Sequence, residues 1–287
     1  MNFITGEKFQ ELATISIALN VESNYNSDLV KTQLKNTKTI CYVFSETADV
    51  PVFPDNIKNA EIVFTYTHIL PFFFDKIFSA IQTPFTLITH NSDHGVDASY
   101  LNYLENTKIK KWFCQNKYIS HEKLISLPIG IANSQWPHGN LQTLETIIKS
   151  DLPKNNLVLK TFDISTNPSH RHEVNLITEQ NGFIMSPSLP YIDYLKQLKQ
   201  SYFCFAPHGN GADCHRIWEC LYLNCVPIVP ERHPCFDDFK HLPILFVNDF
   251  KSITKPFLEQ QIEKFFPFSK YNLEMLNLDY WKKLINC

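Results

Sequence analysis

Short apolar runs alternate with helix-length segments along almost the whole chain. In the first half, "TICYVFS" (39–45), "EIVFTYT" (61–67), "FTLITH" (85–90), "KKWFCQN" (110–116) and "LISLPIG" (124–130) read as strands, with helices expected around 71–81 and 97–106. These strands are dense in Val, Ile and Phe and do not alternate cleanly with polar residues. That is the pattern of strands covered on both faces in a parallel α/β sheet. The stretch 133–156 breaks the rhythm with Asn, Pro and Gly and is expected to hold the hinge. A second series follows: strand 157–165, helix 168–180, strand 182–187, helix 190–200, strand 201–207, helix 213–223, strands 225–230 and 243–249, and a helical end at 251–285. There is no internal repeat and no low-complexity segment.

Two successive series of this kind predict an α/β fold of two Rossmann-like domains facing across a cleft, with C-terminal helices. The expected division is a first domain at 1–135, a linker at 136–156, a second domain at 157–265, and a C-terminal helix within 266–287 packing back on the first domain. Open α/β sheets bind ligands beyond the carboxyl ends of their strands. The loops after Ile88, Phe162 and Phe205 are therefore where chemistry is expected.

Composition narrows the picture. Hydrophobic residues make up 44% of the 287 residues, enough for a core, and the net charge of −3 argues against nucleic acid as a partner. The densest basic run, Lys108, Lys110 and Lys111, reads as a solvated face. None of the eight cysteines forms a Cys-x-x-Cys pair, and several lie in apolar runs, so a reducing compartment is expected. The N-terminus lacks a signal-peptide pattern, and no apolar run reaches the ~18–20 residues that span a bilayer. A soluble cytoplasmic protein without a membrane span is expected. Of the 26 basic residues only Arg171, Arg216 and Arg232 are arginines. A chain that otherwise uses lysine keeps arginine where a planar fork must grip phosphate or carboxylate.

The densest chemistry lies in "FAPHGNGADCHRIWECLYLNCVPIVP" (205–230). It spends two of seven glycines, Gly209 and Gly211, directly ahead of Asp213, Cys214, His215 and Arg216. Strand, glycine turn and helix start present free N–H groups and a positive dipole end to an anion. Asp213 is the expected N-cap. His215, Arg216 and Glu219 fall on one helix face by their spacing, which would place cations near an anion and a carboxylate one turn deeper. His208 and Asn210 complete the loop. Upstream, "TNPSHR" places Asn167 and Arg171 at the start of a helix that Pro168 opens.

The segment 205–229 resembles the donor-binding signature of exostosin-like glycosyltransferases: Pro-Arg-Gly-x-Gly, then Arg-x-Trp-Glu, then a small residue followed by Cys-x-Pro-Val. A weaker likeness runs through "FDISTNPSHR", and "THNSDHG" and "SLPIGIANSQWPHG" are similar to segments of virus-encoded members. The resemblance implies a GT-B fold, with an acceptor-side first domain and a second domain that binds a UDP-sugar. It also implies transfer of the sugar to a glycan hydroxyl with inversion, in the host cytoplasm if the protein is viral. The virus-encoded members point to UDP-xylose. Carried over by position, Arg216 would bind diphosphate and Glu219 the ribose. His208 stands where the family often has Arg, and Asp213-Cys214 replaces small polar residues.

Inverting transfer needs a general base at the acceptor hydroxyl. "THNSDHGVD" (89–97) offers Asp93 first and His94 second, unless Asp93 instead caps the helix near 97. Trp136 and His138 in "WPHGN" are expected on the acceptor side, or Trp136 at the domain interface. Cys204, His208, Cys214 and His215 lack the paired spacing of a structural zinc site, and no Asp-x-Asp is present, so neither metal nor cofactor is expected. Two rivals stand beside the transferase: a nucleotide-sugar epimerase or hydrolase on the same frame, and a glycan-binding module without catalysis.

Overall fold

The computed structural model of the protein describes residues 1–19, 38–44, 55–231 and 233–287; Ser45 and Arg232 lie outside them. The chain divides into two compact units. One comprises Thr5–Leu127 with Trp281–Cys287, the other Met1–Ile4 with Pro128–Tyr280.

The first unit holds a six-stranded parallel sheet of β1 (Ile15–Leu19), β2 (Ile40–Phe44), β3 (Ile62–Tyr66), β4 (Phe85–His90), β5 (Ile109–Cys114) and β6 (Leu124–Ser126), in the order β2-β1-β3-β4-β5-β6. Every residue of β1, β3 and β4 is buried, as the dense apolar runs require. β1 is not anticipated by the sequence pattern, since "ISIAL" is short and alternates only at Ser16. Its position between β2 and β3 reverses the direction in which strands are added. The helix expected at 71–81 is an irregular helical run over 67–80, with 3-10, α and π turns in succession. Aromatic packing sets this run: Phe74 stacks on Tyr103 at 3.7 Å and meets Trp112 at 5.6 Å. Trp281, fully buried, packs edge-on to Phe9 at 6.0 Å.

The second unit holds a four-stranded parallel sheet of β7 (Asn156–Leu159), β8 (Ser201–Phe205), β9 (Val226–Pro230) and β10 (Leu245–Val247), ordered β10-β9-β8-β7. Among the described residues this order follows the sequence and contains no reversal. The strand expected at 182–187 does not form. Gly182 turns the chain at φ +80°, Ile184 is 86% exposed, and Ser186 N–H donates to the Lys160 carbonyl at 2.8 Å. Pro187 has no N–H with which to continue a ladder. Residues 136–156, expected as a linker, lie inside this unit and include the helix Leu141–Lys149, which Asn140 caps. The helices Pro168–Gln180, Tyr191–Gln200 and Lys255–Phe265 form close to where the periodicity places them.

Lysines hold many of the helix ends. Lys108 Nζ donates to the carbonyls of Phe78 and Ile81 at 2.6 and 2.7 Å. Lys123 Nζ serves Leu104 and Asn106, Lys199 Nζ serves Ile147 and Ile148, and Lys270 Nζ serves Lys264 and Phe266. The last carbonyls of a helix have no intrahelical donor and carry its negative dipole end, so an ammonium satisfies both needs. Burial lowers the Lys108 and Lys199 pKa values. None of the eight cysteines forms a disulfide, and Cys114, Cys204, Cys220, Cys225 and Cys235 are buried. Among the described residues no helix is long and apolar enough to cross a membrane.

Candidate functional site: the loop between β8 and its helix

The site begins with two neighbouring strands. β7 and β8 run in parallel register, Leu159 beside Cys204, so the segments that follow them leave the same edge of the sheet. After β7 comes a 3-10 turn at Ile164–Thr166 and the helix Pro168–Gln180, opened by Pro168 as expected. After β8 comes the glycine loop and then the helix His215–Tyr222.

The β7 side builds the β8 side. Asn167 Nδ2 donates to the Gly209 carbonyl at 2.8 Å. Arg171, 5% exposed, donates from Nε to the His208 carbonyl at 2.8 Å and from Nη1 to the Asp163 carbonyl at 2.7 Å. Both side chains thus fix the backbone of residues 208–209, a role that the sequence does not show. A Cβ at Gly209 would lie 3.3 Å from Arg171 Nη2, so glycine here lets the guanidinium lie against the loop.

Asp213 is not the N-cap. Cys214 occupies that position and makes no side-chain capping bond. The Asp213 carboxylate is buried and accepts from Ile129 N–H at 2.7 Å and Trp218 Nε1 at 2.8 and 3.0 Å. Burial pushes its pKa up to about 7, against the lowering effect of those donors. The helix therefore starts without a side-chain N-cap bond. Burial likewise raises the Cys214 thiol to about 11, which keeps it protonated.

Around this uncapped end several polar groups have no partner. Arg216 Nε and His208 Nε2 are buried without a hydrogen bond. Among the described residues the main-chain N–H groups of His208, Gly209, Gly211 and Ala212 meet no protein acceptor. Neither Arg171 nor Arg216 forms a salt bridge with a described carboxylate. Burial lowers the Arg171 pKa, and the charge of Arg216 lowers it further. Leaving a buried polar group unpaired costs about 1–3 kcal/mol each, so a concentration of them in one loop calls for a ligand that completes them. Unpartnered donors and two guanidinium groups beside one loop favour an anion.

The expected face of His215, Arg216 and Glu219 is divided in the fold. His215 Nδ1 donates to the Gly130 carbonyl at 2.8 Å. Glu219, 4% exposed, accepts from the Tyr194 hydroxyl at 2.8 Å, and burial raises its pKa while Tyr194 and Arg216 oppose the rise. Tyr191 lies on the same helix as Tyr194, and its buried hydroxyl also bears on the Glu219 carboxylate, opposing the rise of its pKa. Burial and the Glu219 charge raise both tyrosines. The spacing of Tyr191 and Tyr194, one turn apart, is the only sequence signal for this pair. Asn210 is exposed at the loop tip. Trp136 is 42% exposed and stacks on His138, with centroids at 6.3 Å and planes at 17°; His138 lies 6.0 Å from His215.

Asp93 and His94 belong to the other unit, in the loop after β4. Both are exposed; His94 lies 6.2 Å from His68. Asp97, not Asp93, caps the following turn by accepting from Ser99 N–H at 2.9 Å. Among the described residues no three His, Cys, Asp or Glu side chains form a metal-binding group. No protein-family model matches the chain, and no curated protein matches it.

Proposed function

We propose that the protein is an inverting, metal-independent glycosyltransferase of the GT-B type that moves a sugar from a UDP-sugar to a glycan hydroxyl. One observation carries this reading. Arg171 and Arg216 lie near each other without a salt bridge to a described carboxylate, beside the amides of His208, Gly209, Gly211 and Ala212, which have no protein acceptor among the described residues. A diphosphate supplies the charge and the acceptors that this arrangement lacks. The exostosin-like signature over the same residues supports the choice of a nucleoside diphosphate sugar over a simple anion.

In the proposed reaction the acceptor oxygen attacks the anomeric carbon as the bond from that carbon to the UDP oxygen breaks. The acceptor proton passes to a base, for which Asp93 is the first candidate and His94 the second. UDP leaves with an additional negative charge. Arg216, the uncapped helix end and the loop amides stabilise that charge most where it is greatest, which is the condition for speeding the step. Arg171 and Asn167 act mainly by holding the loop in shape. Glu219, held by Tyr194, accepts from the ribose hydroxyls, and Trp136 with His138 serves the acceptor.

A thermal-shift panel of nucleotides and UDP-sugars tests the reading. UDP should stabilise the wild type, by about 2.7 kcal/mol at a hundredfold excess over Kd, and should leave Arg216→Ala and Glu219→Ala unmoved. Equal protection of all three would refute the site. Mass spectrometry of products with and without a glycan acceptor then separates transfer from hydrolysis or epimerisation.

A further inference from the structure

Three imidazoles surround one side of the glycine loop. His208 lies 5.2 Å from His170 and 5.8 Å from His233, ring centroid to ring centroid, and Phe236 closes the group at 6.2 Å from His208. The three come from different elements: the helix Pro168–Gln180, the loop itself, and the turn that follows β9. Nε2 of both His170 and His208 is buried with no hydrogen-bond partner. His233 Nδ1 accepts from Cys235 N–H at 3.2 Å, which leaves its proton on Nε2. Such a group gains nothing from packing alone, since neutral rings at these positions waste two buried nitrogens.

We infer that His170, His208 and His233 form a proton-coupled subsite for a phosphoryl group, in which anion binding and proton uptake by the imidazoles occur together. The subsite rests on the nucleoside diphosphate reading of the adjoining loop and deepens it. In the empty site, burial first, then His170, His233 and Arg171, hold His208 down to about 4. Burial also lowers His170, with Glu173 opposing and Arg171 assisting, and burial lowers His233, with Asp237 opposing. All three rings are therefore neutral in the empty protein near pH 7. A phosphoryl oxygen placed among them supplies the missing acceptor and reverses the field, so the favoured state becomes an imidazolium donating to the anion. Because the bound state holds the extra proton, affinity falls as pH rises from the free-state pKa toward the bound-state pKa and levels off above it.

Titration calorimetry with UDP-glucose, in two buffers of different ionisation enthalpy, reads the effect directly. Its diphosphate exchanges no proton between about pH 5.5 and 8. Binding near pH 6 should take up close to one proton, and Kd should weaken about tenfold per pH unit across that same range, levelling off at higher pH. His208→Gln should still bind but with a flat pH profile; the wild-type proton count stands alone if that variant does not fold. UDP-glucose bound with no proton uptake would overturn the subsite and leave the transferase reading intact. The second probe is sulfate, a dianion that exchanges no proton here, followed by NMR of the imidazole resonances. If UDP-glucose and UDP-xylose both fail to bind while sulfate raises the His208 pKa, the transferase reading fails and the subsite stands. If none of the three binds, both fail.

Discussion

The loop after β8 and the loop after β4 each follow the end of a buried parallel strand and carry glycine, histidine and aspartate, yet they use their polar groups in opposite ways. In the loop after β4 several backbone amides are bonded within the unit. Asn91 N–H donates to His90 Nδ1 at 2.8 Å and to Gln115 Oε1 at 3.1 Å, and Val96 N–H donates to the Asn116 carbonyl at 3.1 Å. Gly95 is there for packing: a Cβ would stand 2.2 Å from the Asn116 oxygen and 2.6 Å from the Tyr118 ring. In the loop after β8 the carbonyls of His208 and Gly209 are tied down by Arg171 and Asn167, while the amides of His208, Gly209, Gly211 and Ala212 and Arg216 Nε meet no protein acceptor among the described residues. A loop that is anchored through its carbonyls and open through its amides is preorganised for an anion. The loop after β4 is instead held through the amides of Asn91, His94 and Val96, and it presents the side chains of Asp93 and His94.

Four experiments would break or sharpen this contrast. The largest effect should come from a pair of variants. Asp93→Ala should lower kcat by about 10²–10⁴-fold with UDP affinity unchanged, and Arg216→Ala should lower kcat by about 10²–10³-fold and remove UDP protection. A loss of UDP binding in Asp93→Ala would erase the division of labour. Next, Gly95→Ala should destabilise the fold by about 2–4 kcal/mol in urea titrations, because the atoms in the way are backbone and a ring. The third concerns Asp213. Its folded pKa is raised, so between about pH 4 and 7 the folded state binds more protons than the unfolded one, and stability falls as pH rises through that window. Asp213→Asn removes this penalty. Its stability relative to wild type should therefore increase by on the order of 2–4 kcal/mol from pH 4 to pH 8. The smallest effect is Gly209→Ala, below about 1 kcal/mol, since its Cβ meets the end of a long side chain at 3.3 Å. Equal costs at Gly95 and Gly209 would contradict the different reasons assigned to them.

Much of the second unit was legible from local signals. Pro168 marks a helix start, and the run after Phe205 marks strand, turn and helix, because φ restriction and apolar periodicity act within a few residues. The roles inside the site were less so. Asp213 looks like a cap by position, yet its partner Ile129 N–H is 84 residues away. Glu219 looks available by spacing, yet Tyr194 from another helix holds it. Arg171 looks like a ligand contact, yet two of its donors go to backbone carbonyls. The strand at 182–187 failed locally: Gly182 turns the chain at positive φ, only Ser186 N–H reaches the end of β7, and Pro187 has no N–H to continue a ladder.

The abundance of lysine acquires a mechanical meaning from the paired carbonyls at the helix ends. Those ammonium groups work as rivets, each fastening two oxygens that water would otherwise claim. Arginine cannot take their place without a wider fork, and an acylated amine offers one N–H where three stood. A reagent that acylates amines would therefore loosen the frame at several helix termini together, while the two arginines beside the glycine loop kept their charge.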